Sequence, residues 1–598
     1  MEKTMIRLAL TLAFSFAAAS CGDSENRTNE PDKIYLSFSG GGYHAQTAGA
    51  AWVMAVTDRI DSDVDGMMEN VGAISSISGG TWFVTLLAYS GTYLESVQAP
   101  DASSTYATSG SGSYFDAVMN RTSAPGLGLV GVGQEKQDII EFLDSLNKAG
   151  SALPLELDWQ EYVDDNVYLK GEGAWNLYAE LKSKTLDGSD SRNPWAESMP
   201  LLFTGSLLTQ QPALSRQGML GANTLTVAYP SMSENYSNGI PPTAAPLIMA
   251  GMGSSSLDTP PLLPGTASSS DLEATYSVFP TKGSTTTRYA AASPQGGLGV
   301  MQAGSISSAA GGNFVDIPVM EEFLNSLHID APLRQFAALE VSRSIMGLAP
   351  AYRMGSPMTE IALPDLPETP ADLASARVVR LADGGFTDTS SVASIMTLLA
   401  TNDLDDGFNL LFFDNRHGGL LYSNDSPSGQ AKNTFYTGAG VATLFGFKQT
   451  WDRSPRYNQT NCDFGRFCYV GVLPHVFSNE PTPGDYVYWE KDADDNLAPV
   501  KPPVLVETTR GSEDCNSRAN YLRYEVTTID NPLFNVKGGK KGTLHVVVAR
   551  AGRQPAHAPK FACFQSMVDW IHTHVSATTK DTSAPPTIGD YLVEALGL

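Results

Sequence analysis

The sequence predicts an α/β fold in which a central, mostly parallel sheet is covered by helices. Three observations carry this expectation. The chain opens strand-helix-strand-helix, and both strand-to-helix connections are built from glycine and serine. Short apolar runs of the buried-strand type recur downstream, at Pro200–Thr204, Val378–Leu381, Phe408–Asp414 and Thr543–Arg550. The 598 residues are 42% hydrophobic and contain no internal repeat, so one large domain with insertions is the economical organisation.

Residues 1–20 read as an export signal. Lys3 and Arg7 precede an apolar stretch, Leu8–Ala19, that is too short to span a bilayer. Ala18-Ala19-Ser20-Cys21 resembles the end of a bacterial lipoprotein signal, which makes Cys21 the expected lipidation site. Ordinary cleavage near Ala19 and free secretion is the alternative. Residues 21–32 read as a polar tether, and a single domain is expected over 33–598. The formal charge of −26 repels phosphate backbones, so nucleic acid is excluded as a partner. Apart from Cys21, the cysteines are Cys462, Cys468, Cys515 and Cys563, an even set suited to two disulfides in an oxidising compartment, with the pairing open. Their spacing does not suit structural zinc.

Ile34, Leu36 and Phe38 alternate with Tyr35 and Ser37 as in a strand. After three glycines, Ala48, Trp52, Ala55 and Val56 mark one face of a helix. Asp61–Gly66 copies the first half of a calcium loop, but position 12 is Gly72, so an acidic turn is expected. Val71–Ile77 is the second strand, and Trp82, Phe83, Leu86 and Leu87 give the next helix its core face. From Gly251 to Ser270 and from Lys282 to Gly312 the chain is poor in charge and rich in Ser, Gly and Ala. Those stretches are either flexible loops or a cap of apolar loops over a lipid-accepting cleft.

Two glycine-serine turns carry the chemistry. Ser78 follows a buried run and precedes a helix, flanked by the small residues Ser76, Gly79 and Gly80. A hydroxyl nucleophile needs such a tight turn to project from the backbone. Gly40-Gly41-Gly42 opens the first helix, where unpaired N–H groups at the positive end of the helix dipole suit an oxyanion. A dinucleotide fingerprint, Gly40-x-Gly42-x-x-Ala45, is the rival reading. It requires an acidic residue at the end of the second strand, where this chain has Ser78-Gly79-Gly80.

Ser39-Gly40-Gly41-Gly42-Tyr43 and Ser76-Ile77-Ser78-Gly79-Gly80-Thr81-Trp82 resemble the catalytic domain shared by cytosolic phospholipase A2 and lysophospholipase (phospholipase B), relatives of the patatins. Asp383-Gly384-Gly385, about three hundred residues after the serine, fits that family's third element. The resemblance implies a three-layer α/β/α domain with a central mostly parallel sheet and a cap insertion at roughly residues 100–340. It also implies a Ser78–Asp383 dyad, an oxyanion hole from Gly41 and Gly42, and hydrolysis of phospholipid or lysophospholipid esters with no metal or cofactor. Gly79 and His44 are candidate substrate contacts. His44 replaces the family's arginine, which weakens a headgroup contact or makes it pH-dependent; a partly exposed helix residue with a structural role is the other reading.

Two alternatives stay open at this level. His475, His572 or His574 could act as base in a Ser-His-Asp triad of a general esterase, or the fold could serve a catalytically silent surface binding protein. Membrane attachment would come through Cys21, and the oligomeric state is open.

Overall fold

The computed structural model describes residues 33–99, 113–118 without 116, 159–188, 191–208, 244–260, 272–278 without 276, and 287–288. It continues with 298–309, 351–354, 378–403, 407–415, 421–423, 434–436, 439–445, 474–478, 489–491, 497–499, 518–531, 534–550, 562–576 and 586–598. The stretches expected to be an export signal and a tether with Cys21, and Cys462, Cys468 and Cys515, lie outside these residues.

A ten-stranded sheet organises the chain. Its strands are β1 (Ile34–Phe38), β2 (Val71–Ile77), β3 (Leu201–Leu208), β4 (Ala244–Gly251) and β5 (Leu272–Thr275). They continue with β6 (Ala351–Met354), β7 (Val378–Asp383), β8 (Phe408–Asp414), β9 (Arg518–Thr527) and β10 (Lys541–Arg550). The order is β9-β10-β8-β1-β2-β3-β7-β6-β5, with β4 also on β3. β10, β8, β1, β2 and β3 run parallel, and the pairings on either flank are antiparallel. The expected parallel sheet is thus the centre of a mixed one. The apolar runs at 200–204, 378–381, 408–414 and 543–550 all fall on these strands, and the last extends a ten-residue hairpin with β9.

Helices cover both faces. On one lie α1 (Gly42–Ile60), α2 (Gly79–Tyr89), α3 (Gly91–Gln98), α4 (Trp159–Asn166), α5 (Val300–Ser307), α7 (Ala562–Ser576) and α8 (Ile588–Leu596); on the other lies α6 (Val392–Thr401). Strand alternation divides the core accordingly: Leu36, Phe38, Leu411 and Phe413 face the α1 layer, while Tyr35, Leu410 and Phe412 face the α6 layer.

The first helix departs from the one-faced pattern expected of it. Gly42 to Thr57 are all buried, because α7 and α2 pack along α1 in addition to the sheet. Phe564 of α7 meets His44 edge-on at 5.3 Å, and Arg59 of α1 donates to the Val575 carbonyl at 3.0 Å. The acidic turn has a simple local role: the Asp63 carboxylate caps the helical turn Val64–Met67 by accepting the Gly66 amide at 3.0 Å. Within the span 100–340, β3, β4, α4 and α5 belong to the sheet and its covering layer. Within the Ser- and Ala-rich stretch 282–312, Val300–Ser307 is a buried helix; 282–286, 289–297 and 310–312 lie outside the described residues. Among the described residues, no helix is long and apolar enough to cross a membrane.

Candidate active site

The site lies where two strands meet end to end on one edge of a third. β4 occupies one edge of β3 along its whole length, from Leu201 to Leu208. On the other edge β2 runs parallel up to Ile77, opposite Thr204. β7 runs the opposite way down to Asp383, opposite Gly205. The ends of β2 and β7 therefore face each other one residue step apart on β3, and the next residue of β2 is Ser78. The Ser78 hydroxyl donates to Asp383 Oδ2 at 2.7 Å.

Ser78 sits at φ 52°, ψ −124°, a backbone state that L residues rarely adopt, at the N-terminus of α2. That turn needs close approach on all sides. A Cβ on Gly79 would lie 2.0 Å from the Gly42 carbonyl oxygen, and one on Gly80 would lie 2.6 Å from the carbonyl oxygens of Phe38 and Ser39. The Gly40–Gly42 loop is thus pressed against the serine turn. Gly41, the N-cap of α1, has φ 136° and Gly42 has φ 57°. At the start of α1 the amides of Gly41 and Gly42 have no intrahelical acceptor. The positive ends of α1 and α2 converge beside the Ser78 hydroxyl, a setting favourable to a developing oxyanion.

Asp383 is 7% exposed. Burial pushes its carboxyl up from 3.8 to about 6, against the opposing effect of hydrogen bonds from the Gly385 amide and the Ser78 hydroxyl. The Gly385 N–H reaches Oδ1 at 2.7 Å, leaving Oδ2 for the serine. Gly384 is fixed by space, since a Cβ there would fall 2.3 Å from the Thr204 carbonyl oxygen.

His44 is fully buried, contrary to a partly exposed position. Its Nδ1 bonds the Asn415 carbonyl oxygen at 2.5 Å, so that nitrogen carries the proton. Asn415 in turn donates its amide to the Ser39 hydroxyl at 2.8 Å and accepts Trp52 Nε1 at 3.0 Å. His44 thereby ties the end of β8 to the loop after β1.

The histidines considered for a triad lie at the far end of the sheet. His572 Nε2 is 3.5 Å from Asp58 Oδ2. Asp58 is sixteen residues beyond Gly42 along α1, a rise of about 24 Å. His574 is on the same helical turn of α7, stacked on Trp570. His475 precedes a segment in which the Ser478 amide bonds the Thr527 carbonyl at 2.7 Å. Thr527 pairs with Lys541, next to the start of β8, about 20 Å of strand from Asp414. His545 is occupied by the Tyr521 hydroxyl. His328, His417 and His557 lie outside the described residues.

Behind the pair runs a belt of buried hydroxyls that the sequence does not announce. Ser37 and Ser75 donate to the Ser390 and Ser391 carbonyls at 2.7 and 2.8 Å, and Thr204 Oγ1 meets the hydroxyls of Ser391 and Ser394, both at 2.7 Å. Asp388, fully buried, accepts from Ser390 N, Ser390 Oγ and Ala393 N at 2.8, 2.6 and 3.0 Å. Burial raises its carboxyl pKa while those donors oppose the rise. This belt locks α6 to β1, β2 and β3 and so fixes the floor under Ser78 and Asp383. Asp388, five residues after Asp383 and followed by Ser390 and Ser391 just before an apolar helical run, is the only local trace of it in the sequence.

Comparison with known proteins adds a distant likeness. No family model matches the chain. Lysophospholipase 1 of Saccharomyces cerevisiae is 28% identical over 147 residues, which is 24% of this chain and 21% of the yeast protein. The match thus spans about a fifth of that relative's length. The solved structure of human GIVD cytosolic phospholipase A2 aligns with 74% of this chain and 60% of its own at 11% identity and a TM-score of 0.31. The yeast match, together with the motifs around Gly41 and Ser78, places the chain at low identity with the phospholipase and patatin-like proteins.

Proposed function

We propose that this protein is a lipid acyl hydrolase of the phospholipase A or lysophospholipase type, working through a Ser78–Asp383 dyad. The observation that carries the reading is the 2.7 Å hydrogen bond from a strained, helix-capping serine to a buried carboxylate. Ser78 Oγ attacks the ester carbonyl carbon as its proton passes to Asp383 Oδ2. The carbonyl oxygen becomes an oxyanion held by the Gly41 and Gly42 amides, with Gly79 lining the same turn. Collapse expels the alcohol, which takes the proton back from Asp383 and leaves an acyl-Ser78 ester. Water then attacks that ester with Asp383 again as base, releasing the fatty acid and restoring Ser78. The carboxylate is suited to this role because burial has raised its basicity to about 6.

Lipid as substrate is supported by the yeast lysophospholipase match and by the motif resemblance. Export, with attachment to a membrane through Cys21 or free secretion, belongs to the same proposal. His44 is the least favoured substrate contact, because its Nδ1 is engaged by the Asn415 carbonyl.

A fluorophosphonate probe is expected to label the wild type and not Ser78→Ala, and the purified wild type is expected to release fatty acid from a panel of phospholipids and lysophospholipids. His475→Ala, His572→Ala and His574→Ala should label normally. Loss of labelling in a folded histidine variant would replace the dyad by a triad; inertness of the wild type toward the whole panel would favour a silent binding protein. The pH profile provides a separate check. Asp383 must be ionised to accept the proton, so kcat/KM should fall about tenfold per pH unit below about 6 and level off above it. A flat profile between pH 4.5 and 7 would contradict the assignment.

A further inference from the structure

The segment Ser307-Ser308-Ala309, at the C-terminal end of α5, holds both partners of the dyad by their backbones. The Ser307 hydroxyl accepts the Ser78 amide at 2.9 Å. The Ala309 carbonyl accepts the Asp383 amide at 3.1 Å. Ser307 Oγ also donates to the Thr204 carbonyl at 2.6 Å, at the point on β3 where β2 gives way to β7. Thr81 Oγ1 lies 2.8 Å from Ser307 Oγ. Since the single Ser307 proton is committed to Thr204, Thr81 donates, and Ser76 Oγ, 3.2 Å away, then donates to Thr81. A hydroxyl offers one proton and two lone pairs, and on Ser307 all three are used. Ser307 therefore has no capacity left for a substrate.

We propose that Ser307 is a positioning residue: with the Ala309 carbonyl it clamps the backbones of Ser78 and Asp383 at the separation their hydrogen bond requires, and it withdraws the Ser78 amide from the set of oxyanion donors. This rests on the dyad reading given above. Three consequences follow from the geometry. The strained Ser78 backbone is anchored from outside its own turn, by a residue 229 positions away in the chain. The oxyanion donors reduce to the amides of the Gly41–Gly42 loop and of Gly79. Ser308, the next residue, accepts Trp82 Nε1 at 2.9 Å and Trp159 Nε1 at 3.2 Å, so the clamp is braced against α2 and α4.

The test is Ser307→Ala, assayed beside wild type and Ser78→Ala with a short-chain aryl ester and with the fluorophosphonate probe. The clamp predicts that Ser307→Ala lowers kcat and the maximal phosphonylation rate about 10- to 100-fold, with KM and probe affinity within about twofold, because a nucleophile misplaced by a fraction of an ångström loses reactivity and not binding. Ser307→Cys, which fills the same space with a weaker acceptor, should fall between the two. A kcat for Ser307→Ala within about twofold of wild type would overturn the clamp. So would a change confined to KM, or failure of both Ser307 variants to fold, which would make the segment a strut and nothing more. The Ser78→Ala control separates the two levels: full activity there removes the dyad and the clamp together, whereas an inert Ser78→Ala beside a fully active Ser307→Ala removes the clamp alone.

Discussion

Replacing Asp383 by asparagine is expected to abolish turnover and, at neutral pH, to stabilise the protein. The activity loss should be about 10⁴-fold or more in kcat, since the amide cannot take the Ser78 proton and no other base is in reach among the described residues. The stability effect follows from linkage. The folded-state pKa is about 6, above the ordinary 3.8, so the ionised form is disfavoured by folding. Wild-type stability from this group is fully present below pH 3.8 and is lost as pH rises through about 6. The shift corresponds to about 3 kcal/mol. Asparagine does not titrate, and its side-chain oxygen can still accept the Gly385 amide. The variant should therefore match the wild type in urea midpoint near pH 4 and exceed it at pH 8. Parallel midpoints across that range would show that the carboxylate is not held in a desolvated site. Combined with Ser78→Ala, the asparagine variant should cost little further activity, because the two groups act as a unit.

Among the described glycines, Gly79→Ala is expected to be one of the most damaging single-methyl changes. Its Cβ would lie 2.0 Å from the Gly42 carbonyl oxygen and 2.6 Å from the Gly42 carbonyl carbon and nitrogen. These are backbone atoms, so no side-chain rotation relieves the overlap, and the Gly40–Gly42 loop itself must move. Overpacking of this kind costs about 1–3 kcal/mol. Displacing an oxyanion donor should lower kcat about 10²- to 10³-fold in whatever protein remains folded. Gly91→Ala is the matched control: its Cβ would meet only Glu180 Oε1, at 3.6 Å, and activity should be unchanged. Equal activity in the two variants would mean that the loop does not need its present contact with the serine turn.

Ser78 and the Gly40–Gly42 loop are legible in the sequence because each is a local event, a strand running into a tight turn with small neighbours, whereas Asp383 stands out only through the family resemblance. The strands themselves are legible because a strand buried on both faces is a short apolar run whatever its partners. What the sequence hides is set by partners distant in the chain. His44 is buried because Phe564 and Asn415 close over it, and neither is near it in sequence. The stretch around Ser307 is low in charge and small in side chain, which describes a loop equally well. Its placement as a buried helix comes from tight packing of Ile306 on Gly205 and of Ser308 on two indoles. The antiparallel flanks escape for the same reason, since strand direction leaves no periodic trace.

The meeting of β2 and β7 on one edge of β3 has a consequence for how such a chain can change. The separation of Ser78 and Asp383 is set by a single step of backbone, Thr204 to Gly205. It does not depend on how much chain is spent travelling between them. Segments inserted after β3 or before β7 can lengthen, shorten or be exchanged without retuning the pair, provided the two strands keep their register and the 307–309 bridge is retained. On the proposed function, substrate preference can thus drift with the insertions while the Ser78–Asp383 pair stays fixed, a modularity that resides in strand pairing and not in any one residue.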